Sequence, residues 1–244
     1  MVDYFTADLH LDHANILAYS DREEFMTSEE RAKRAAWKAG SAGRPRVSAG
    51  SVEAMNDGLI GRINTRVGAG DRLWILGDFT KSATVGRVAE LRGRIVCGDV
   101  RLIYGNHDNR SACRAVFTAC YDAVRVLVSR TEPSMTEDEA ELAVERGAVP
   151  RRALARMKAV YLSHYCHVVW PGSHLGVYQL YGHSHGNLEA WRESHMPCAL
   201  SMDVGIDAHP TGGVWSWDEI DHVLSAKAAR VGPHAVDHHR PGEA

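Results

Sequence analysis

The sequence lacks the features that would send it into a membrane or a secretory pathway. None of its apolar runs approaches the roughly 20 residues that a membrane-spanning helix needs. The first five residues contain no basic segment followed by an apolar stretch, so we expect no signal peptide. Both absences favour a cytoplasmic protein without a membrane partner.

Cysteine is scarce, and neither sign of charge is in large excess. The five cysteines lie far apart and form no C-x-x-C pair, so we expect reduced thiols rather than a disulfide framework or a thiolate zinc site. The net charge is −3, so no global basic field indicates stable nucleic-acid binding. A hydrophobic content of 45% over 244 residues is enough for one large α/β domain.

Apolar runs and turn residues predict alternating strands and helices. The predicted strands cover residues 2–7, 72–76, 94–97, 101–104, 124–128, 159–162, 177–181 and 199–204. The predicted helices cover residues 27–38, 52–63, 85–91 and 217–227, with Thr27 or Ser28 as the first N-cap.

The remaining segments predict one domain, residues 1–230, with two insertions near residues 39–50 and 130–158. The motif from Ser134 to Glu137 in the second insertion predicts a capping box. We interpret Arg44 and Arg46 in the first insertion as solvated surface rather than as a substrate contact. Residues 231–244 are rich in Pro, Gly and His and are predicted to be a disordered tail.

Five short polar segments each follow a predicted strand. In chain order they are Asp8-Leu9-His10, Gly77-Asp78, Gly105-Asn106-His107-Asp108, His164 and Gly182-His183-Ser184-His185. Taken singly, most of these segments have a simpler interpretation as a turn, a surface loop or a buried histidine. Carboxyl ends of strands in an α/β sheet meet at one edge, so segments that are distant in sequence can converge there. Their joint order favours a metal site.

The side chains in these segments are carboxylates, imidazoles and an amide. On an extended backbone Asp8 and His10, two residues apart, share one face and could bind one ion together. Asp78 could bridge two cations, one on each carboxylate oxygen, and Asn106 offers a neutral oxygen ligand. Two cations about 3.5–4 Å apart can bind both the attacking and the leaving oxygen in the hydrolysis of a phosphate ester.

The segment after the strand at residues 101–104 also contains a candidate general acid. His107 can donate a proton to a leaving oxygen, and Asp108 could orient the imidazole and raise its basicity.

Together the five segments resemble the signature of the calcineurin-like metallophosphoesterase superfamily, over roughly residues 2–220. Residues 5–17 and the segment Asp203-Val204-Gly205-Ile206-Asp207 are similar to a group of small bacterial and phage phosphoesterases. The chain departs from that group at Asp203, where asparagine is frequent, and after His164, where proline is common. The resemblance implies an α/β fold, a four-layer α-β-β-α sandwich of two mixed β-sheets flanked by helices, in a bacterial cell or a phage-infected host.

The resemblance also implies a role for each matched residue. The ligands of the first metal ion would be Asp8, His10, Asp78 and His185, and those of the second Asp78, Asn106, His164 and His183. A hydroxide bridging the two ions would be the nucleophile, His107 the general acid, Asp108 its support, and His13 a residue near the substrate. The donor set contains no thiolate and favours two Mn²⁺ ions, with Fe, Zn²⁺ or Ni²⁺ as alternatives.

The implied activity is that of a metal-dependent phosphodiesterase acting on a phosphodiester small molecule or nucleotide, cyclic or derived from nucleic acid. A phosphomonoesterase is an alternative. A phosphoprotein phosphatase is less favoured, because Phe79-Thr80-Lys81 stands where those enzymes carry Asp-Arg. A metallo-β-lactamase-like hydrolase would leave residues 105–108 unexplained. A non-catalytic scaffold of the same fold is disfavoured because the whole ligand set and His107 are present.

Overall fold

The computed structural model of the chain describes residues 1–231. The predicted tail lies outside the described residues, apart from residue 231 at the end of a helix. The described strands are β1 (Asp3–Thr6), β2 (Arg72–Leu76), β3 (Asp99–Ile103), β4 (Ala119–Tyr121), β5 (Ala123–Val128), β6 (Met135–Thr136), β7 (Lys158–Ser163), β8 (Tyr178–Tyr181), β9 (Ser201–Asp203) and β10 (Trp215–Ser216).

The helices of the same region alternate with these strands. They are α1 (Ala14–Tyr19), α2 (Ser28–Lys38), α3 (Ala49–Arg66), α4 (Val85–Gly93), α5 (Arg110–Arg114), α6 (Glu137–Glu145), α7 (Arg151–Leu154), α8 (Glu189–His195) and α9 (Trp217–Val231). Two 3₁₀ turns cover Glu23–Phe25 and Ser173–Leu175. No helix within residues 1–231 combines the length and the apolar character that a bilayer crossing requires.

The strands form two mixed five-stranded sheets, which confirms the predicted α/β two-sheet fold. Sheet 1 has the order β10-β1-β2-β3-β4, and sheet 2 has the order β6-β5-β7-β8-β9. The strands β1, β2 and β3 run parallel to one another, as do β7, β8 and β9. The carboxyl ends of each parallel set therefore lie together at one edge of their sheet.

The hydrophobic core consists of separate clusters that pack against different faces of the two sheets. In β2 the side chains of Trp74 and Leu76 pack between the sheets, whereas Leu73 and Ile75 pack outward against the cluster that includes Leu59 of α3. Both faces are covered, so every residue of β2 is buried, and residues 73–76 form a continuous apolar run. A smaller cluster covers the outer face of sheet 2.

The helix predicted at residues 27–38 is confirmed, including its N-cap. Thr27 accepts a hydrogen bond from the backbone N–H of Glu30, and the Glu30 carboxylate accepts one from the backbone N–H of Thr27. The same carboxylate accepts from the backbone N–H of Ser48 and the hydroxyl of Ser51. Glu30 therefore also fixes the start of α3, which begins three residues earlier than predicted.

The strand predicted at residues 94–97 is wrong. The Asn64 side chain donates to the carbonyl of Arg94 at 2.8 Å and accepts from the N–H of Val96 at 3.0 Å. A side chain thus satisfies the backbone groups that a neighbouring strand would otherwise pair. The apolar alternation that suggested a strand arises because Ile95 and Cys97 are buried while Val96 is exposed.

The capping box predicted from Ser134 to Glu137 is also wrong. The capping box of α6 joins Thr136 to Glu139, two residues later. Ser134 is buried instead, and its hydroxyl donates to Asp3 at 2.6 Å and accepts from the indole N–H of Trp74 at 3.0 Å. A capping motif in a sequence does not distinguish a helix cap from a serine that is buried by tertiary contacts.

Candidate metal centre

All five polar segments converge at one edge of the sandwich, as their positions after strands predicted. Sheet 1 supplies the segments after β1, β2 and β3, and sheet 2 supplies those after β7 and β8. The two sheets are tied together at this edge by a parallel bridge between Ala7 and Gly205. The backbone N–H of His183 also donates to the Asp8 carboxylate, at 2.8 and 3.0 Å from its two oxygens.

The backbone at this edge is left-handed at most of the predicted ligands. Six non-glycine residues within residues 1–231 have a φ between 49° and 69°: Asp8, His10, Asp12, Asp78, His183 and His185. A left-handed conformation costs an ordinary residue about 1–2 kcal/mol, and such residues concentrate at functional sites. Five of the six are residues that the sequence assigned to metal binding.

These φ values correct one step of the sequence argument. Asp8 and His10 do not lie on the same face of an extended segment, because both have left-handed backbone. Their side chains converge because the chain turns sharply at each of them. The same holds for His183 and His185, so the shared two-residue spacing reflects a repeated turn rather than a strand.

Two of the clusters that these side chains form each contain three of the four ligands predicted for one ion. Candidate ligand atoms of Asp8, His10 and His185 all lie within 4.8 Å of one another. Those of Asp78, His164 and His183 form a second group by the same measure.

Asp78 belongs to the second cluster and also faces the first. Its Oδ2 atom is 3.4 Å from Nε2 of His10 in the first cluster and 3.5 Å from Nε2 of His164 in the second. Its Oδ1 atom accepts the backbone N–H of His107 at 2.8 Å. Oδ2 therefore faces an imidazole of each cluster, whereas Oδ1 is engaged by the backbone.

Three of the imidazoles are held with the Nε2 atom directed inward. Nδ1 of His164 donates to the carbonyl of Leu76 at 2.8 Å, and Nδ1 of His185 donates to Asp207 at 2.6 Å. Nδ1 of His10 lies 3.2 Å from Nδ1 of His13. Metal-binding histidines characteristically donate their second ring N–H to a neighbouring acceptor in this way, which leaves the other nitrogen as the ligand.

Two observations indicate that a cation fits this space. Nε2 of His10 is buried and has no hydrogen-bond partner within the described residues. Nδ1 of His164 carries the ring proton, so Nε2 of the neutral ring is a hydrogen-bond acceptor. It lies 3.2 Å from Oδ1 of Asn106, which is also an acceptor. A cation, or protonation of the ring, resolves that contact. Asn106 therefore lies beside the second cluster.

The two carboxylates have opposite pKa shifts. Burial raises the pKa of Asp8 to about 7, although His185 and His164 oppose the shift. Burial acts in the same direction on Asp78, but its interactions with His164 prevail and lower its pKa to about 2. Burial also lowers the pKa of His10 to about 2, so this ring is neutral near pH 7.

Two glycines are needed for this close packing. A Cβ atom on Gly105 would lie 2.2 Å from Oδ1 of Asp78, and one on Gly77 would lie 2.2 Å from Nδ1 of His164. Gly77 also has a φ of 94°, which residues with a side chain rarely adopt. In the Gly-Asp and Gly-Asn pairs of the sequence, the glycine is therefore required sterically and the polar residue chemically.

Asp108 has a different role from the one predicted. Its carboxylate accepts the backbone N–H groups of Gly105, Asp78 and Phe79, at 2.8–2.9 Å. It therefore fixes the turns that carry Asp78 and His107, and its two oxygens are engaged by backbone rather than by the imidazole.

Lys81 contacts His107 instead. The Lys81 ammonium lies 3.1 Å from Nδ1 of His107 and donates to it, which leaves the His107 proton on Nε2. Burial, with a contribution from Lys81, lowers the pKa of His107, so the predicted rise in basicity is wrong. In the sequence, Lys81 was distinguished only because Phe79-Thr80-Lys81 stands where phosphoprotein phosphatases carry Asp-Arg.

His13, predicted near the substrate, lies in the same group. It precedes α1, and its ring centroid is 5.2 Å from those of His10 and His107. It also belongs to a third group of possible ligand atoms with those two histidines. Burial lowers its pKa to about 4, so the ring is neutral near pH 7.

The sequence did not identify Arg22 and Asp207, which support the first cluster. Arg22 is buried and donates to both oxygens of Asp207 at 2.8 Å and to the carbonyls of Asp8 and Leu9. Asp207 in turn fixes His185. The segment at residues 203–207 gave a signal for Asp207, but nothing in the sequence around Arg22 distinguished it from surface arginines.

A cleft of about 1000 Å³ opens over the two clusters, and His10, Asp78, His183 and His185 are among its lining residues. It extends along α1 to Tyr19 and Lys38. The volume is at the upper end of the range for small-molecule sites.

Replacing Asp8 by asparagine should stabilise the metal-free protein at alkaline pH. The pKa of the Asp8 carboxyl is 3.8 in the unfolded chain and about 7 in the folded protein. Its contribution to the free energy of unfolding is therefore complete below about pH 4 and is lost as the pH rises through 7. Asparagine cannot ionise and tolerates left-handed backbone, so the variant should be roughly 2–4 kcal/mol more stable at pH 8. Thermal unfolding in EDTA should show this as a melting temperature higher by about 5 °C or more, and the difference should narrow at pH 5.

The same variant should respond less to metal. Added Mn²⁺ should raise the melting temperature of the wild type more than that of Asp8→Asn, because only ions bound to the folded state stabilise it and the variant keeps only the second cluster intact. A pH-independent difference would count against the raised pKa of Asp8, and equal stabilisation of both proteins by Mn²⁺ would count against a metal ligand there.

Comparison with known proteins supports the fold only. No protein-family model matches the chain, and no curated protein matches it. The chain is similar to a solved structure from Aquifex aeolicus, described as the protein of unknown function AQ665, with 16% sequence identity and a TM-score of 0.54. The match covers 91% of this chain and 98% of that chain.

Proposed function

We propose that the chain is a phosphoesterase of the calcineurin-like metallophosphoesterase kind, dependent on two divalent metal ions. The observation that carries the proposal is the pair of ligand clusters that share Asp78 Oδ2, at 3.4 and 3.5 Å from one imidazole of each cluster. One shared carboxylate oxygen between two sets of hard and imidazole donors suits a pair of close cations such as Mn²⁺. Such a pair would activate water and neutralise charge on the phosphoryl group.

The roles of the protein side chains follow from their contacts. Water attacks phosphorus, the bond to the leaving oxygen breaks, and that oxygen needs a proton. The backbone N–H of His107 donates to Asp78, which fixes the residue in place. The Lys81 ammonium donates to Nδ1 of the ring, so the ring proton is on Nε2. In its imidazolium form His107 would give the Nε2 proton to the leaving oxygen and end as the neutral imidazole. Lys81 would attract the anionic substrate to the same side of the site.

The size of the cleft favours a diester over a monoester. A monoester ends at its phosphoryl group, whereas the cleft continues beyond the clusters along α1. The second ester substituent of a phosphodiester would occupy that space. The chain would then act on a phosphodiester small molecule or on a nucleotide.

A substrate panel tests the proposal. Bis(p-nitrophenyl) phosphate, p-nitrophenyl phosphate, cyclic nucleotides and a phosphoserine peptide are incubated with the protein and Mn²⁺, Fe²⁺, Zn²⁺ or Ni²⁺, and with EDTA as the control. We expect metal-dependent hydrolysis with a higher kcat/KM for diesters. A preference for the monoester or the peptide would replace the diester assignment, and no turnover with any metal would support a non-catalytic scaffold.

A further inference from the structure

An exposed aromatic and cationic cluster lies at the end of α1 that is distant from the metal centre. We call it the Tyr19 platform, and it consists of Tyr19, Trp37, Lys38 and Arg44. The rings of Tyr19 and Trp37 meet edge to face with centroids 5.8 Å apart. The Arg44 guanidinium lies 5.6 Å from the Tyr19 ring centroid, and the Lys38 ammonium lies 5.4 Å from that of Trp37. Tyr19 is 49% exposed, so part of its ring remains open to a ligand.

The two cations of the platform have no carboxylate partner within residues 1–231. Arg44 donates to the Tyr19 hydroxyl, and Lys38 contacts the Tyr19 carbonyl at 3.4 Å. Lys33 of the same helix, by contrast, contacts the Glu29 carboxylate at 2.6 Å. Although the net charge is −3, Lys38 and Arg44 therefore form a local pair of cations beside the exposed ring of Tyr19 and the partly exposed ring of Trp37. Such a combination is typical of surfaces that bind single-stranded nucleic acid.

The platform and the metal centre belong to one cleft. Tyr19 and Lys38 line it together with His10 and Asp78. Helix α1 starts directly after His13 and ends at Tyr19, so Tyr19 lies about 9 Å farther along the helix axis at 1.5 Å per residue. Successive phosphates of a stacked strand advance about 3.4 Å, so this separation corresponds to roughly two to three nucleotides.

We propose that the cleft binds the end of a single-stranded oligonucleotide. The scissile phosphodiester lies at the metal centre, a base two or three nucleotides away stacks on Tyr19, and its flanking phosphates contact Lys38 and Arg44. This inference rests on the proposed phosphodiesterase function and names its substrate class. It revises the interpretation of Arg44 as solvated surface, because the fold brings Arg44 onto an aromatic ring beside the cleft.

Binding is tested without turnover by fluorescence anisotropy of a fluorescein-labelled hexathymidylate in EDTA. Loss of a stacking ring typically weakens binding by roughly 5–100-fold, so Tyr19→Ala should show a loss in that range and Tyr19→Phe should not. The double variant Lys38→Ala/Arg44→Ala should reduce the slope of log affinity against log salt by about 1.4, the value for two phosphate contacts on a single strand. Lys33→Ala, which removes a paired cation from the same helix, is the matched control and should behave as the wild type.

Turnover gives the second readout. With Mn²⁺, Tyr19→Ala and Lys38→Ala/Arg44→Ala should lower kcat/KM for the hexanucleotide by the factor by which they weaken its binding, and Lys33→Ala should leave it at the wild-type value. Unaltered hexanucleotide binding in these variants would overturn the inference, as would equally strong competition by a phosphoserine peptide. If the wild type hydrolyses no diester at all, the proposed function fails, and the anisotropy measurement still decides whether the platform binds a strand.

Discussion

Asp78→Asn should remove both metal ions and nearly all turnover while leaving the fold intact. Asparagine tolerates the left-handed φ of 55° and can still accept the His107 N–H, but it lacks the charge that both clusters share. Two cations contribute several kcal/mol of transition-state stabilisation, so kcat should fall by at least about 10³-fold. Elemental analysis of the purified variant and kcat for an aryl diester measure the two effects together.

Asp12→Asn is the matched control for this variant. Asp12 is also a carboxylate with left-handed backbone in the segment after β1, but it pairs with Arg87 at 2.8 Å and belongs to neither ligand cluster. It should keep both ions and most of the activity. If Asp78→Asn retained near-normal metal content and turnover, the shared-ligand assignment would be wrong.

His107→Ala should lose activity without losing metal. General acid catalysis is typically worth about 10²–10⁴ in rate, and the loss should be of that order for an alkyl or ribose diester, whose leaving oxygen requires a proton. For a nitrophenyl diester the loss should be smaller, because nitrophenolate leaves with little protonation. Turnover of both substrates by both proteins, with metal analysis of each, makes the comparison.

Two outcomes would change the role of His107. Equal losses on both substrates would indicate contact with the phosphoryl group instead of proton donation. Loss of an ion would make His107 a ligand, which the third group of imidazoles, His10, His13 and His107, makes a specific alternative. Circular dichroism of the variant separates either outcome from unfolding.

The positions of the candidate ligands could be predicted because strand ends are visible in sequence. The buried run at β2 is followed at once by Gly77 and Asp78, and parallel strands carry such segments to a common edge. The local geometry could not be predicted in the same way. The left-handed backbone of Asp8 and His10 depends on contacts with residues far away in sequence, such as the Asp8 N–H bond to Gly77 and the Arg22 bond to the Asp8 carbonyl.

Supporting residues were the least predictable part of the site. Asp108 was chosen to orient His107 because it is adjacent in sequence, yet its carboxylate caps three backbone N–H groups and Lys81, 26 residues before His107, contacts the imidazole. Similarly, residues 94–97 alternate as a strand would, but Asn64 satisfies their backbone. Adjacency and periodicity describe local preference, and tertiary partners decide between the local options.

The central claim is that the chain binds two metal ions at clusters that share Asp78. Protein stripped with EDTA and titrated with Mn²⁺ should take up two ions per chain by elemental analysis, and diester hydrolysis should rise with occupancy. His185→Ala, from the first cluster, and His164→Ala, from the second, should each reduce the stoichiometry to about one. A stoichiometry near zero, with no activation by any of the four metals, would contradict the account.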